Sequence, residues 1–139
     1  MSGIDLLVTA YLVIAGLMVG SFVGLAADRL PKGESVVRPG SHCRSCGRRL
    51  NVVDLLPVAG YFLRRGRCAS CGTPIGITSA VIEAMCGGLM AVAILWLGLW
   101  PGAAVGAVLV GGWGLAVVAL AIRRGSRPGT ASVTARHSP

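Results

Sequence analysis

Two cysteine pairs of identical spacing are the residues of this chain best suited to chemistry. Cys43-x-x-Cys46 and Cys68-x-x-Cys71 are separated by 21 residues, and each pair is followed at once by a glycine, Gly47 and Gly72. In a C-x-x-C turn the backbone N–H groups point at the sulfurs, and glycine tolerates the positive φ that the turn requires. Two such knuckles facing each other supply four soft thiolates in a tetrahedral array, the donor set that suits Zn2+. All four positions are then filled by protein and none is left for substrate, so the metal is expected to be structural. A loop with few apolar residues would draw its folding energy from such a clip.

Other uses of these cysteines compete. An iron–sulfur cluster is open on ligand type alone. A thioredoxin-like pair needs one C-x-x-C beside a βαβ unit, and no such pattern is present. Disulfides are disfavoured in a reducing compartment. His42, next to Cys43, is a spare ligand that four cysteines do not need. Arg44, Arg48, Arg49 and Arg67 would offset the double negative charge of a four-thiolate centre. Cys86 lies apart, in an apolar run, and reads as a small buried residue.

The elements that must carry this loop are apolar. Hydrophobic residues make up 54% of the 139-residue chain and charged residues 13%, with a mean hydropathy of +0.75. So little polar surface cannot cover a water-facing globule. Residues 4–27, 79–100 and 102–122 form three runs long enough to cross a hydrocarbon core of roughly 30 Å. The fold class expected is an all-α membrane protein, three transmembrane helices with a zinc-knuckle loop, residues 28–78, between the first and second. Trp100-Pro101-Gly102 is the expected turn of a helical hairpin, and Trp96 and Trp100 fit an interfacial aromatic belt. Gly16, Gly20 and Gly24 form a small-residue ridge that lets a neighbouring helix approach, in this chain or another. Residues 123–139, rich in Ser, Thr, Gly and Pro, are expected to be a disordered tail.

Charge sets the orientation. Nine basic residues lie in the loop and four in the tail, and Lys32 is the only lysine among them. The opposite side receives Asp5 and the uncharged turn. The positive-inside rule then puts loop and tail in the cytoplasm and the amino terminus outside. That asymmetry also accounts for the net charge of +8 without nucleic acid, which is not expected as a partner. Membrane lipid is. Residues 1–8 hold no basic residue, so the first run is expected to stay as a span and not to be cleaved as a signal peptide.

Several motifs in this order resemble the N-terminal domain of bacterial type IV prepilin peptidases, the leader peptidase/N-methyltransferases. They are Gly20-Ser21-Phe22, Arg29-Leu30-Pro31, Ser41-x-Cys43-x-x-Cys46-Gly47, Asp54-Leu55-Leu56-Pro57 and Arg65-Gly66-Arg67-Cys68-x-x-Cys71-Gly72, then Ile75 and Glu83. The likeness covers roughly residues 16–90 and assigns residues 1–100 to such a domain. It implies a bacterial inner (plasma) membrane location in type IV pilus or type II secretion-like systems. It further implies, for full-length members, leader cleavage by two aspartates in the C-terminal half, and methylation of the new amino terminus from S-adenosylmethionine. Prepilin substrates follow from the same resemblance.

The sequence departs from that family in ways that bear on chemistry. Its aspartates are Asp5, Asp28 and Asp54, and none follows a Gly-x-Gly motif. Asp28 reads as the cap of a span end and Asp54 as a helix start, so no proton-sharing pair is expected. The chain is therefore expected not to be a peptidase on its own, and to act either beside a separate aspartyl subunit or as a non-catalytic zinc-binding scaffold. Gly24 stands where the family has Asn, and Thr78-Ser79-Ala80 where it has Arg-Tyr-Pro. Glu83, an acid inside a span, is the one candidate catalytic residue, with pairing to a loop arginine as the alternative.

Overall fold

The computed structural model describes residues 2–38 and 40–126. Four helices follow in order: α1 (Gly3–Arg29), α2 (Ala59–Leu63), α3 (Thr78–Leu97) and α4 (Leu99–Gly125). There is no strand among the described residues, only two isolated antiparallel pairings, His42 with Arg49 and Arg67 with Pro74. α1, α3 and α4 are each long and apolar enough to cross a membrane. The expected class, a helical membrane protein with its cysteine loop between the first and second spans, is what the chain adopts.

α1 opens on a reciprocal cap: Ser2 N–H donates to Asp5 Oδ2 at 2.7 Å, and Asp5 N–H donates to Ser2 Oγ at 3.2 Å. These bonds satisfy orphan N–H groups at the helix start. Its 27 residues span about 40 Å, and it ends in a single 3-10 turn, Leu30–Lys32, closed by Gly33 at φ 68°.

Helix ends differ from expectation at the hairpin. The reversal falls at Gly98, with φ 82°, and Trp100-Pro101-Gly102 form the first turn of α4. Pro101 is tolerated there because the first N–H groups of a helix have no intrahelical partner. Gly98 has no side chain to oppose the positive φ. Trp96 and Trp100 flank this reversal, both highly exposed. At the other end α4 continues through Arg123 and Arg124 to Gly125, so these residues are helical where a disordered tail was expected. Two cations in the last turn complement the helix dipole. The rest of that expected tail, residues 127–139, lies outside the described residues.

The three long helices pack against one another through small residues. The glycine ridge of α1 meets α3 of the same chain: Gly16 faces Cys86 and Gly87, Gly20 faces Glu83, and Gly24 faces Ser79. A Cβ on Gly20 would lie 2.7 Å from the Glu83 Cα. Gly102 and Gly106 of α4 lie as closely against Ala93, Ile94 and Met90 of α3. The core is Cys86, Met90, Ile94 and Val110, with Cys86 fully enclosed as the sequence led one to expect.

This geometry makes one glycine far more sensitive than another. Gly20→Ala should destabilise the bundle by about 1–3 kcal/mol through overpacking. Gly111→Ala on α4, where a Cβ meets nothing within 4 Å, should change it by less than about 0.5 kcal/mol. Reversible unfolding in mixed lipid–detergent micelles measures both.

Candidate metal centre

The two C-x-x-C segments fold into matching turns. Cys43 N–H donates to Arg48 O at 2.8 Å and Gly47 N–H to Cys43 O at 2.9 Å, with Gly47 at φ 70°. In the second turn Cys68 N–H donates to Thr73 O at 2.9 Å and Gly72 N–H to Cys68 O at 3.0 Å, with Gly72 at φ 69°. The glycines are required where the sequence reading placed them. Thr73 Oγ1, 3.1 Å from Ser45 Oγ, links one turn to the other.

The turns face each other and bring all four sulfurs within 4.8 Å of one another. Cys43 Sγ lies 3.8 Å from Cys71 Sγ, and Cys46 Sγ 3.9 Å from Cys68 Sγ. A sulfur tetrahedron with metal–sulfur bonds of about 2.3 Å has edges of about 3.8 Å. The cysteines are free thiols, not disulfides. The donor set thus fits a four-coordinate thiophilic ion and is consistent with zinc. His42 is not among these ligands: its Nδ1 lies 2.9 Å from Gly40 O.

Crowding four thiols separates their acidities. The Thr73 hydroxyl and N–H hold the Cys71 thiol down at about 6. The N–H groups of Cys71 and Ser70 lower Cys68 as well. For Cys46 the Arg48 N–H also pulls downward, but the thiols of Cys71, Cys43 and Cys68, with burial, outweigh it and push the group up to about 11. One thiol must resist ionisation when its neighbours are already anionic. A bound cation removes that conflict.

The arginines near the cysteines divide their work. Arg44, expected beside the metal charge, instead bridges Asp28 at 2.6 Å and Glu34 at 3.2 Å. Arg48 pairs with Asp54. Burial works against the Arg48 charge, but Asp54 and the Cys68 thiol more than compensate and hold the guanidinium more firmly protonated. Arg64 Nε donates to the other Asp54 oxygen at 2.6 Å. Asp54 therefore sits between two cations, and Arg48 ties it to the cysteine cluster.

Asp54 does not begin a long helix. It exchanges hydrogen bonds with Asn51, Asn51 N–H to Asp54 Oδ2 at 3.0 Å and Asp54 N–H to Asn51 Oδ1 at 3.1 Å. The single turn so capped closes with Leu55 N–H on Asn51 O. Pro57 interrupts it, because proline restricts the residue before it and offers no N–H. α2 starts only at Ala59, after Val58 takes the rare values φ 57° and ψ −51°. Asp28 pairs with Lys32 at 2.5 Å as well as Arg44. Asp28 and Asp54 thus hold separate sets of cations, and Asp5 caps the far end of α1, so the structure brings no aspartyl pair together among the described residues.

Glu83 is buried five residues into α3. Among the described residues it pairs with no arginine. Its Oε2 accepts the Val58 N–H at 2.6 Å and its Oε1 the Ser79 hydroxyl at 3.3 Å. Sequence reasoning singled out Glu83 but missed Val58 as its partner, because nothing in the local pattern marks a backbone N–H 25 residues away. The Arg48–Asp54–Arg64 cluster was missed as well, although the Asn51–Asp54 spacing carried a capping signal.

Fold and site together define a helical membrane protein whose loop between the first and second spans gathers four cysteines. Comparison with known families is more specific: residues 14–97 match the bacterial peptidase A24 N-terminal domain, and the chain belongs to that family. The match takes in most of α1, the cysteine loop and α3, and leaves α4 outside. A prepilin leader peptidase/N-methyltransferase of Myxococcus xanthus is 36% identical over 81 residues, covering 58% of this chain and 24% of that protein. One of Bacillus subtilis is 34% identical over 88 residues, covering 63% and 36%. A type 4 prepilin-like proteins leader peptide-processing enzyme of Escherichia coli is 29% identical over 126 residues, covering 77% and 42%. The chain thus spans a quarter to two fifths of the length of these relatives. No solved structure matches it.

The pH response of the loop follows from Asp54. Burial raises its carboxyl, but the Asn51 N–H, Arg64 and Arg48 overcome this and hold it below the usual range. A depressed carboxyl stabilises the fold above the unfolded value of about 3.9, and the contribution is lost as pH falls through the folded value. Arg48 and Arg64 are 26% and 28% exposed, which screens part of it. Asp54→Asn should weaken the loop by about 2 kcal/mol at neutral pH. Its difference from the wild type should shrink below about pH 4, as read by amide hydrogen exchange over residues 48–64.

Proposed function

We propose that residues 14–97 are the metal-clipped membrane module of prepilin and pseudopilin processing, in type IV pilus or type II secretion-like systems. In this reading the cleaving aspartates come from a separate aspartyl half, and the loop and tail face the cytoplasm of a bacterial inner membrane. The observation that carries it is the convergence of Cys43, Cys46, Cys68 and Cys71 within 4.8 Å, inside the segment that matches the family. Zinc is the ion we assign, because four thiolates at tetrahedral edge lengths suit it. It would be held by all four cysteines and would supply rigidity, not a reactive water. The residues around it would then present Asp54, α2 and the basic turn after it in one arrangement to prepilin or to the aspartyl half.

The aspartates present here support a non-peptidase role for this chain by itself. Each is committed to cations or to a helix cap, whereas an aspartyl dyad needs two carboxyls sharing one proton.

A second reading, a scaffold that has lost methyl transfer from S-adenosylmethionine, is favoured by one specific contact. Gly24 and Ser79, both departures from the family pattern, face each other so closely that a Cβ added at Gly24 would lie 3.0 Å from Ser79 Oγ, and Ser79 bonds Glu83. One changed position therefore bonds the candidate acid and another packs beside it. On this reading Glu83 positions the loop and has no catalytic part. Methylation of a pilin-type amino terminus by the purified chain, lost in Glu83→Gln, would exclude the scaffold and restore Glu83 as a candidate catalytic residue.

Deleting residues 14–97 in the cell should leave prepilins with uncleaved leaders, and normal processing would refute the proposal. Purified protein should carry about one zinc per chain, and Cys43→Ser should lose most of it, by elemental analysis.

A further inference from the structure

The register of α1 on α3 sets the depth of the loop. Gly24 lies against Ser79 and Gly20 against Glu83, so the first turns of α3 are level with a part of α1 inside the apolar run. Asp28, Arg29 and Lys32 mark the end of that run, as Arg123 and Arg124 do on α4, whose Gly125 packs on Pro31. Gly24 is four residues before Asp28, and so about 6 Å deeper at 1.5 Å per residue. Ser79 shares that depth, and the Glu83 carboxylate reaches back up to it through the Ser79 hydroxyl. The Val58 N–H is bonded to the same carboxylate. The backbone at Val58 is thereby drawn below the level of the charged belt.

What the chain displays around that point is apolar. Leu55 and Leu56 are about half exposed, and Phe62 and Leu63 are 69% and 64% exposed. The segment then runs directly into Arg64, Arg65, Gly66 and Arg67. Arg64 is held by Asp54, while Arg65 and Arg67 are exposed and make no ion pair among the described residues. Non-helical backbone at membrane depth is tolerated only where protein or a water-filled cavity shields its polar groups from lipid. Here the Val58 N–H is taken up by the buried Glu83 carboxylate, and the Leu55 and Gly60 N–H groups by Asn51 O and Leu56 O. Aromatic and leucine side chains beside unpaired arginines are the pattern of an element lying in the boundary of a charged leaflet.

We propose that residues 55–63 form a re-entrant wedge in the leaflet on the loop side. Phe62 and Leu63 contact acyl chains, Arg65 and Arg67 bind the phosphates of anionic phospholipids, and Glu83 is the internal acceptor that lets the turn descend. A carboxylate inside a span thereby acquires a use that needs neither proton transfer nor a substrate. The proposal stands whether or not the chain takes part in prepilin processing.

The test uses the full chain with Trp96, Trp100 and Trp113 replaced by Phe and one probe introduced, Phe62→Trp. It is reconstituted in phosphatidylcholine–phosphatidylglycerol vesicles, with and without lipids brominated near the top of the acyl chains. The probe should emit at short wavelength and lose most of its emission to the brominated lipid. Leu63→Trp in the same background should do the same, so the result does not hang on one substitution. Arg65→Gln with Arg67→Gln should reduce the quenching when phosphatidylglycerol is present and leave it unchanged in phosphatidylcholine alone. Long-wavelength, unquenched emission from both probes would place the segment in water. Short-wavelength, unquenched emission would mean that protein covers it. Either overturns the wedge, and quenching indifferent to the arginine pair overturns the headgroup assignment.

Discussion

The close approach of α1 to α3 is the constraint on which the remainder of the structure depends. Lipid tails are as apolar as leucine, so helices in a bilayer gain little from burying apolar side chains against each other. They gain from contact area, and contact area requires that backbones come near. Gly16, Gly20 and Gly24 provide that nearness along three successive turns. The contact sets the register of the two helices, and the register decides which residue of α3 stands level with which residue of α1. Glu83 is enclosed because of it, and the depth at which the loop is tied down follows.

The loop is held by a different kind of force. It has almost no apolar interior: among the described residues Cys68 is its one buried hydrophobic side chain. Order there comes from paired charges, capped turns and four convergent thiols. Arg48 connects these features, since its carbonyl accepts the Cys43 N–H and its guanidinium pairs with the Asp54 carboxylate. Glu83 then connects the loop to the bundle through Val58. A polar path therefore leads from the sulfur cluster to a carboxylate within a span, and the unusual backbone of Val58 lies on it. Strain of that kind persists where surrounding contacts over-determine the residue.

Family membership and local chemistry agree on part of this picture. The matched residues 14–97 contain every feature that shapes the loop: the glycine ridge, both cysteine turns, Asp54 and Glu83. Among the described residues, Asp28 and Asp54 pair with separate sets of cations and not with each other. Convergent cysteines, salt bridges and helix contacts give the domain its order, and the relatives it resembles are much longer proteins.

Much of the protein was legible in its residues. Three apolar runs of sufficient length must become helices in a bilayer, because no other single segment satisfies its own backbone there. Two C-x-x-C-Gly spacings must become knuckles, because the turn is local and glycine is needed at its end. The small residue at Cys86 and the close-packing use of the glycine ridge were legible for the same reason. The hairpin turn was displaced because Gly98 and Gly102 are both able to serve, and only packing of Gly102 on Ile94 selects between them. The partner of the ridge, the placement of Arg44 on Asp28, the double salt bridge of Asp54 and the bond from Val58 to Glu83 were not legible at all. Each joins groups from 6 to 25 residues apart or from different helices, and its formation depends on helix register and on the path of the loop. The four cysteines so determined their own pairwise turns, while the meeting of those turns in one tetrahedral cluster was decided by the tertiary fold, because spacing along a chain does not set distance across it.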